Sequence, residues 1–391
     1  MGLGLTLGLV AASAAAFLFS GVLISVAYKY LRANTKPSNS TNRDLEVGDK
    51  DGRGDAVAQP EVSLSPSKEV EIRQYEWQEV KGLIGELTAA AVIGEGGFST
   101  VYLTRLPGSS LAALKVYAGG GELPRRAFRQ ELDVLHSLRH PRIVRLLGYS
   151  DDCEEDRGVL VLEYVPNGTL HEKLRGGGGS SLPWAARTRI AYEIAGAIEY
   201  LHDGGGSSLP IVHGDLTAAN VLLDVDLSPK LCDFGSARVG FSSALRPAAP
   251  VVGSRGYADP HYLRTGIASK KTDVYSFGVL LLELLTGLAA AGPEGGVTLA
   301  AALAPRMEGT GRGVAEAVDP GMGSEYDATE AEAVAAIAAA CVGEQPTMRP
   351  SMAEIRRVMR EKVGSSIPAF DGKSDGQVEE KTKEENSKGA R

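Results

Sequence analysis

The sequence predicts an α+β fold in one folded unit, with strands gathered on its N-terminal side, helices on its C-terminal side, and a transmembrane helix ahead of both. Three observations carry this reading. Residues 88 to 165 hold short β-branched runs, VIG, TVYL, LAALKVY and VLVLEYV, broken by one helical stretch. From 184 onward the apolar period becomes helical, with Ile190, Ile194, Ile198 and Leu201 on one face. The first 28 residues carry no charge at all.

About 20 apolar helical residues cross the hydrocarbon layer of a bilayer, so MGLGLTLGLVAASAAAFLFSGVLISVAY is long enough to span. Lys29, Arg32 and Lys36 follow before any acid, and the positive-inside rule then leaves everything after Tyr28 in the cytosol. A cleaved signal peptide competes, favoured by the small residues from Ala11 to Ala16, but the uncharged start and long apolar run weigh against it. Gly2 with Thr6 matches the myristoylation pattern loosely, and a segment this apolar is captured for insertion first. The expectation is a single-pass anchor, residues 1–28 in the lipid bilayer, most naturally the plasma membrane.

Residues 29–85 read as a juxtamembrane linker, mostly disordered, because Asn, Ser, Pro, Asp and Gly are scattered through 33–74 without a period. Residues 363–391 mix Lys and Glu with almost nothing apolar and read as a solvated tail. Between them stands one folded unit, 86–362, whose strand-rich part covers about 86–165 and whose helical part covers about 166–362. GGGGSS at 176–181 and GGGSS at 204–208 look like loop insertions. VYSFGVLLLELL, 274–285, is apolar all round yet too short to span, which predicts a buried core helix.

Of the 391 residues 43% are hydrophobic, enough for a sizeable core. A formal net charge of -8 and the lack of a basic stretch argue against nucleic acid as a partner. Cys153, Cys232 and Cys341 are far apart and lack metal-ligand spacing, so they are expected as reduced thiols in a cytosolic domain.

Five local patterns carry chemistry. IGEGGFSTVY, 93–102, sets Gly94 and Gly96 between two strands, where main-chain N–H groups can approach phosphates without a Cβ in the way. In LKVY, Lys115 alternates with Ala113 and Tyr117 along a strand, placing an ammonium near that loop. Phe128, Leu132, Leu135 and Leu138 define the apolar face of a helix, and Glu131 lies on the same face. An inward carboxylate needs a partner, which Lys115 can supply. Finally, LCDFGSA, 231–237, leads a short strand into Asp233, which with the Asn220 amide oxygen makes a sufficient protein ligand set for Mg²⁺. HGDLTAAN, 213–220, adds Asp215 two places after a His and five before that Asn.

Taken in order, the glycine-rich loop at 93–101, Lys115, Glu131, HPRIVRLLGY, LEYVPNGTL, LPWAARTRIAYEIAGAIEYLH, Asp215, Asn220, Asp233, KTDVYSFGVLLLELLTG and RPSM resemble the successive landmarks of plant receptor-like, Pelle-related protein kinases. The resemblance implies the two-lobed protein kinase fold, with a β-rich N-lobe and an α-helical C-lobe. It implies a membrane-anchored Ser/Thr kinase that uses ATP and Mg²⁺, with Mn²⁺ as the alternative metal. Asp215 would be the base, assisted by Lys115, Glu131 and Asn220, while Asn220 and Asp233 carry the metal. Nucleotide would lie against Ile93, Gly94, Glu95, Gly96, Gly97, Phe98, Ser99, Thr100, Val101, Ala113 and Lys115. Leu162 would be the gatekeeper, Glu163 to Val165 the hinge that takes adenine, and Asp273 an anchor beneath the catalytic loop. His213 is expected to pack and hydrogen-bond. The implied partners are a protein substrate and a membrane receptor or co-receptor kinase, with Ser236, Ser242, Ser243 and Ser254 as candidate autophosphorylation positions.

Three residues depart from that pattern. Gly214 replaces an Arg that pairs with an activation-loop phosphate, as in the non-RD subset. Thr217 replaces the Lys that meets the transferred phosphate in Ser/Thr kinases, and Ala219 fills the tyrosine-kinase alternative, so neither cation is present. His261 stands where the family has a Glu that pairs with an Arg resembling Arg349, leaving Arg349 to find another carboxylate, a backbone oxygen or water. The expectation from the last change is a looser substrate-side loop. Thr217 and His261 together keep a second reading alive, a nucleotide-binding pseudokinase that scaffolds an active receptor kinase.

Overall fold

The computed structural model describes residues 72–85, 92–108, 110–152, 157–176, 182–206, 209–240, 253–292, 296–307 and 317–367. The membrane helix expected at 1–28 lies outside these residues, as do Cys153, Ser242, Ser243 and most of the linker and tail. Among the described residues no helix is long and apolar enough to cross a membrane.

The N-lobe is a six-stranded sheet in the order β1-β5-β6-β4-β3-β2, formed by β1 (Arg73–Gln74), β2 (Val92–Glu95), β3 (Ser99–Arg105), β4 (Leu111–Tyr117), β5 (Leu146–Asp152) and β6 (Arg157–Glu163). β1 pairs with β5 in parallel and the other neighbours are antiparallel. β1 and helix α1 (Trp77–Gly85) fall in the stretch that the sequence assigns to a linker, so ordered structure begins well before residue 86. Tyr75 and Val80 explain why. They bury against Ala112, Leu114, Val159 and Val161 and form a second, smaller core on the outer face of the sheet. Gly148 on β5 makes room for this docking, because a Cβ there would run into the Arg73 carbonyl and the Tyr75 ring.

Helix α2 (Glu122–Ser137) covers the other face of the sheet and buries Phe128, Glu131, Val134 and Leu135. Leu138, the last of the predicted apolar positions, lies just beyond the helix and is also buried, whereas Leu132 is only partly so. Gly158 on β6 lies beneath the Phe128 ring, where any side chain would collide with it.

Helices α3 (Leu170–Arg175), α4 (Trp184–His202), α5 (Pro260–Thr265), α6 (Lys270–Thr286), α7 (Leu299–Met307), α8 (Ala328–Cys341) and α9 (Met352–Lys362) build the C-lobe. Every residue of α6 from Thr272 to Thr286 is buried, which is why its sequence shows no polar face. Ser269 and Thr272 form its capping box, and Gly287 ends it in the left-handed region at φ 70°. Short strands β7 (Ile211–Val212), β8 (Val221–Leu223), β9 (Pro229–Leu231) and β10 (Arg238–Val239) lie between α4 and α5. β8 and β9 pair as a hairpin, and Leu231 exchanges backbone bonds with Arg142 and Val144 at 2.9 Å each. Those bonds tie the segment that opens on Asp233 to the chain entering β5. Cys232 and Cys341 are free thiols, and burial pushes both up, Cys341 to about 12.

Candidate active site

Lys115 sits in β4 opposite Val101 of β3 and Leu160 of β6, so its side chain leaves the sheet on the α2 side. Its Nζ donates to Glu131 Oε2 at 2.6 Å and to Asp233 Oδ1 at 2.8 Å. The helical spacing that turned Glu131 inward therefore ends in a buried ion pair, as the apolar face of α2 required. Burial by itself would lower the Lys115 pKa, but the Glu131 and Asp233 carboxylates outweigh it and hold the ammonium well above its ordinary value. For Asp233 burial pushes up, and the Lys115 charge reverses the sign and holds the carboxyl below the usual range. Both groups are charged at neutral pH.

The predicted nucleotide residues surround this point. Ile93, Gly94 and Glu95 are in β2, and Ser99, Thr100 and Val101 are in β3, with the turn closed by Gly96 N donating to Ser99 O at 2.8 Å. Gly97 and Phe98 form the tip, where Phe98 is 44% exposed and its carbonyl accepts from Ala118 N. Ala113 pairs in register with Leu162, which brings an expected nucleotide contact and the expected gatekeeper together. Glu163 is held from behind, accepting from Lys230 Nζ at 2.9 Å and Arg145 N at 2.8 Å, and Val165 is buried beyond it.

Below, Asp273 of α6 organises the loop that carries Asp215. Its carboxylate accepts from His213 N at 2.8 Å and Gly214 N at 2.9 Å, and meets His202 Nε2 at 2.9 Å. Asp215 is thereby presented from a fixed backbone. Its Oδ1 accepts from Ser254 N at 3.2 Å, and the Asn220 amide nitrogen donates to the Asp215 carbonyl at 2.8 Å and to Oδ2 at 3.3 Å. His213 is spent on packing: Nε2 meets Cys232 O at 3.1 Å, Nδ1 accepts from Asp215 N, and the ring lies 4.8 Å from that of Phe234.

Among the described residues no group of three or more His, Cys, Asp or Glu could hold a metal ion. The pair Asp233 and Asn220 remains a suitable donor set for a hard cation that keeps most of its water. Cys232 N donates to Asn220 O at 3.0 Å, which sets the residue before Asp233 against Asn220. With the Asn220 NH₂ committed to Asp215, its amide oxygen is the atom left to bind. Asp233 adopts φ 64°, a left-handed conformation that Asp tolerates better than most side chains, and its side chain is 46% exposed.

The three departures have different structural outcomes. Thr217 is buried and caps the short turn Ala218–Asn220, its Oγ1 accepting from Asn220 N at 3.2 Å. Gly214 has φ 80°, and a Cβ there would stand 2.7 Å from the Ser236 carbonyl. For His261 the sequence expectation of a loosened loop needs correction. Arg349 is paired with Asp259, two residues earlier, through Nη1 to Oδ2 at 2.7 Å and Nη2 to Oδ1 at 2.9 Å. Asp259 also caps α5 by accepting from His261 N at 2.9 Å. Arg349 thus has a carboxylate partner, at a position other than the one the family resemblance implies.

Sequence reasoning missed Asp259, although an Asp inside DPHY beside the displaced His was a readable signal. Spacing gave no sign of the contacts of Tyr257, whose hydroxyl accepts from Ala218 N at 3.0 Å and donates to Glu283, itself paired with Arg175. That chain links the substrate-side loop, the catalytic loop and α6. Tyr117, noted in the sequence only for its alternation, donates its hydroxyl to Glu131 Oε2.

Comparison with known proteins agrees with this arrangement. The protein kinase domain family matches residues 87–358. A salt tolerance receptor-like cytoplasmic kinase of Oryza sativa subsp. japonica is 51% identical over 312 residues, covering 78% of this chain and 84% of that protein. A probable receptor-like protein kinase of Arabidopsis thaliana is 42% identical over 306 residues, covering 74% and 88% respectively. A leucine-rich repeat receptor protein kinase from Arabidopsis thaliana is 35% identical over 318 residues, but the match spans only 26% of its length. With the Lys115–Glu131–Asp233 contacts above and Asp215 with Asn220 below, the chain belongs to the protein kinase family, and within it to the plant receptor-like cytoplasmic kinases.

Proposed function

We propose that this protein is an ATP-dependent protein serine/threonine kinase working at a membrane in receptor-linked signalling. The observation that supports it most is the convergence of Lys115 on both Glu131 and Asp233, with Asp215 and Asn220 bonded to each other below. The glycine-rich hairpin from Ile93 to Val101 covers the phosphates, Lys115 holds the α and β phosphates, and the hinge from Glu163 to Val165 takes the adenine. Asn220 and Asp233 would hold Mg²⁺, which would supply charge neutralisation for the transferring phosphate. Asp215 orients the acceptor hydroxyl and takes its proton as that oxygen bonds to the γ phosphorus. The bond from that phosphorus to the β–γ bridging oxygen breaks, and ADP leaves with the electron pair.

Ser/Thr preference rests on Gly253, Ser254, Gly256 and Tyr257, a pattern similar to that group. Gly214 supports a reading of the non-RD type, with an Asp215 less dependent on a loop phosphate. Residues 1–28 supply a single-pass anchor, and a receptor or co-receptor kinase supplies the signal. The catalytic unit is 86–362, flanked by linker and tail.

A second reading, the pseudokinase scaffold, draws support from Thr217. Losing a transition-state cation costs on the order of 2 to 4 kcal/mol, roughly 10² to 10³ in rate, and a buried capping Thr offers no substitute. The full chain with labelled ATP and a generic protein acceptor separates the two. Phosphate transfer above an Asp215→Asn control supports the enzyme, and retained Mg²⁺·ATP binding without transfer supports the scaffold.

A further inference from the structure

Glu131 is completely buried, and its two carboxylate oxygens are used very unevenly. Oε2 receives both Lys115 Nζ and the Tyr117 hydroxyl, while Oε1 has no hydrogen-bond partner among the described residues. A buried carboxylate with so few donors is held only as well as those donors hold it. Tyr117 therefore supplies one of the two hydrogen bonds to that carboxylate among the described residues. It is also anchored independently of Lys115: it is 3% exposed at the end of β4, and its ring meets Phe128 edge-on with centroids 5.5 Å apart. Phe128 lies three residues before Glu131 on the same face of α2, and Gly158 leaves the space in which that ring sits. One side chain thus grips α2 twice, by a ring contact and by a hydrogen bond to the carboxylate that faces Lys115.

We propose that Tyr117 is a positioning residue for phosphoryl transfer, a brace built into β4 that keeps α2 seated and Glu131 engaged with Lys115. The proposal rests on the kinase reading of the site and deepens it. Removal of the hydroxyl leaves Glu131 with Lys115 as its sole donor among the described residues, and the carboxylate then gains by swinging outward with α2 into water. Lys115 loses its upper partner in that excursion and remains pulled toward Asp233, away from the α and β phosphates. Burial and the adjacent Glu131 charge push the Tyr117 phenol well above its ordinary value, so it stays a donor throughout the working pH range.

The test uses the full chain and Tyr117→Phe, which keeps the ring and deletes only the oxygen. Affinity for a fluorescent ADP analogue with Mg²⁺ is expected to fall roughly ten- to a hundredfold, the scale of one hydrogen bond to a charged group. Amide exchange within 128–135 is expected to rise, while the far C-lobe is unchanged. Neither readout requires phosphotransfer, so failure of the brace and failure of the kinase reading are distinguishable. Combination with Glu131→Gln supplies the control that a purely structural role would not pass. Once Glu131→Gln has weakened the Lys115 bond, Tyr117→Phe should add little to the loss of nucleotide affinity. Unchanged affinity and exchange in Tyr117→Phe would overturn the proposal, and so would fully additive losses in the double variant. A fall in melting temperature with nucleotide affinity retained would do the same.

Discussion

Arg349 and Asp259 lie 90 positions apart and close a two-bond ion pair, both side chains at most 2% exposed. The same guanidinium also donates to the Lys271 and Gly343 carbonyls, so it has a dense set of partners. The pair joins the base of the substrate-side loop to the turn before α9, and it does so although His261 occupies the position where a Glu was expected.

Asp259→Ala should therefore cost about 3–5 kcal/mol, because it strands a buried guanidinium as well as uncapping α5. Denaturant unfolding of the purified chain reads this directly. His261→Ala should be close to neutral by the same measurement, since its backbone N–H supplies its one contact to Asp259. A large loss in His261→Ala with little in Asp259→Ala would mean that the ion pair has been placed on the wrong residue.

Thr217→Lys brings two opposed effects. The cap on Asn220 N is lost, worth about 1 kcal/mol of stability as for N-caps generally, and a cation arrives where the transferred phosphate passes. Turnover should rise between roughly tenfold and a hundredfold if that cation reaches the phosphate, alongside a slightly lower melting temperature. Steady-state kinetics and calorimetry on one preparation give both numbers. A rate that stays level or drops would show that another group already meets the phosphate.

The charge centre has a pH signature at both ends. Lys115 has a raised folded pKa, so its contribution is fully present below the unfolded value near 10.4 and disappears as pH climbs through the folded value. Asp233 is lowered, so its contribution is present above the unfolded value near 3.9 and is lost as pH drops through the folded one. Neither group titrates between pH 6 and 8, about two units inside those limits. Unfolding free energy measured against pH should show an alkaline loss that Lys115→Met reduces, the buried phenols and thiols supplying the rest, and an acid loss that Asp233→Asn reduces. An alkaline limb unchanged in Lys115→Met would assign it wholly to those other groups.

Glu330 offers a test away from the site. Its carboxylate accepts Trp184 Nε1 at 2.8 Å and Ser366 N at 3.1 Å, together with both hydroxyls of Ser365 and Ser366. Glu330→Ala should leave the indole N–H unsatisfied at a cost of about 1–3 kcal/mol and release the chain after α9. Faster amide exchange at 363–367 is the expected reading, with phosphotransfer little altered.

Periodicity and spacing carried much of this molecule. The inward Glu131 followed from the three- and four-residue rows of α2, and the fully apolar run at 274–285 announced a helix with no solvent face. Asp215, Asn220 and Asp233 could be picked out from their spacing within HGDLTAAN and LCDFGSA and from the family resemblance that those motifs carry. The same local logic failed for 72–85, where a polar-looking segment is ordered by a few residues, Tyr75 and Val80, that meet a sheet face formed far along the chain. Partners separated by long stretches were decided by the tertiary structure. The sequence showed that Arg349 had lost a Glu at 261, but only the path of the backbone at 259 brought a different carboxylate within 3 Å. Likewise, alternation along β4 put Tyr117 and Lys115 on one face, and only the seating of α2 showed that both donate to the same oxygen. Hydrogen bonds depend on distances of a few tenths of an ångström, and such distances between remote residues exist only once the lobes have packed.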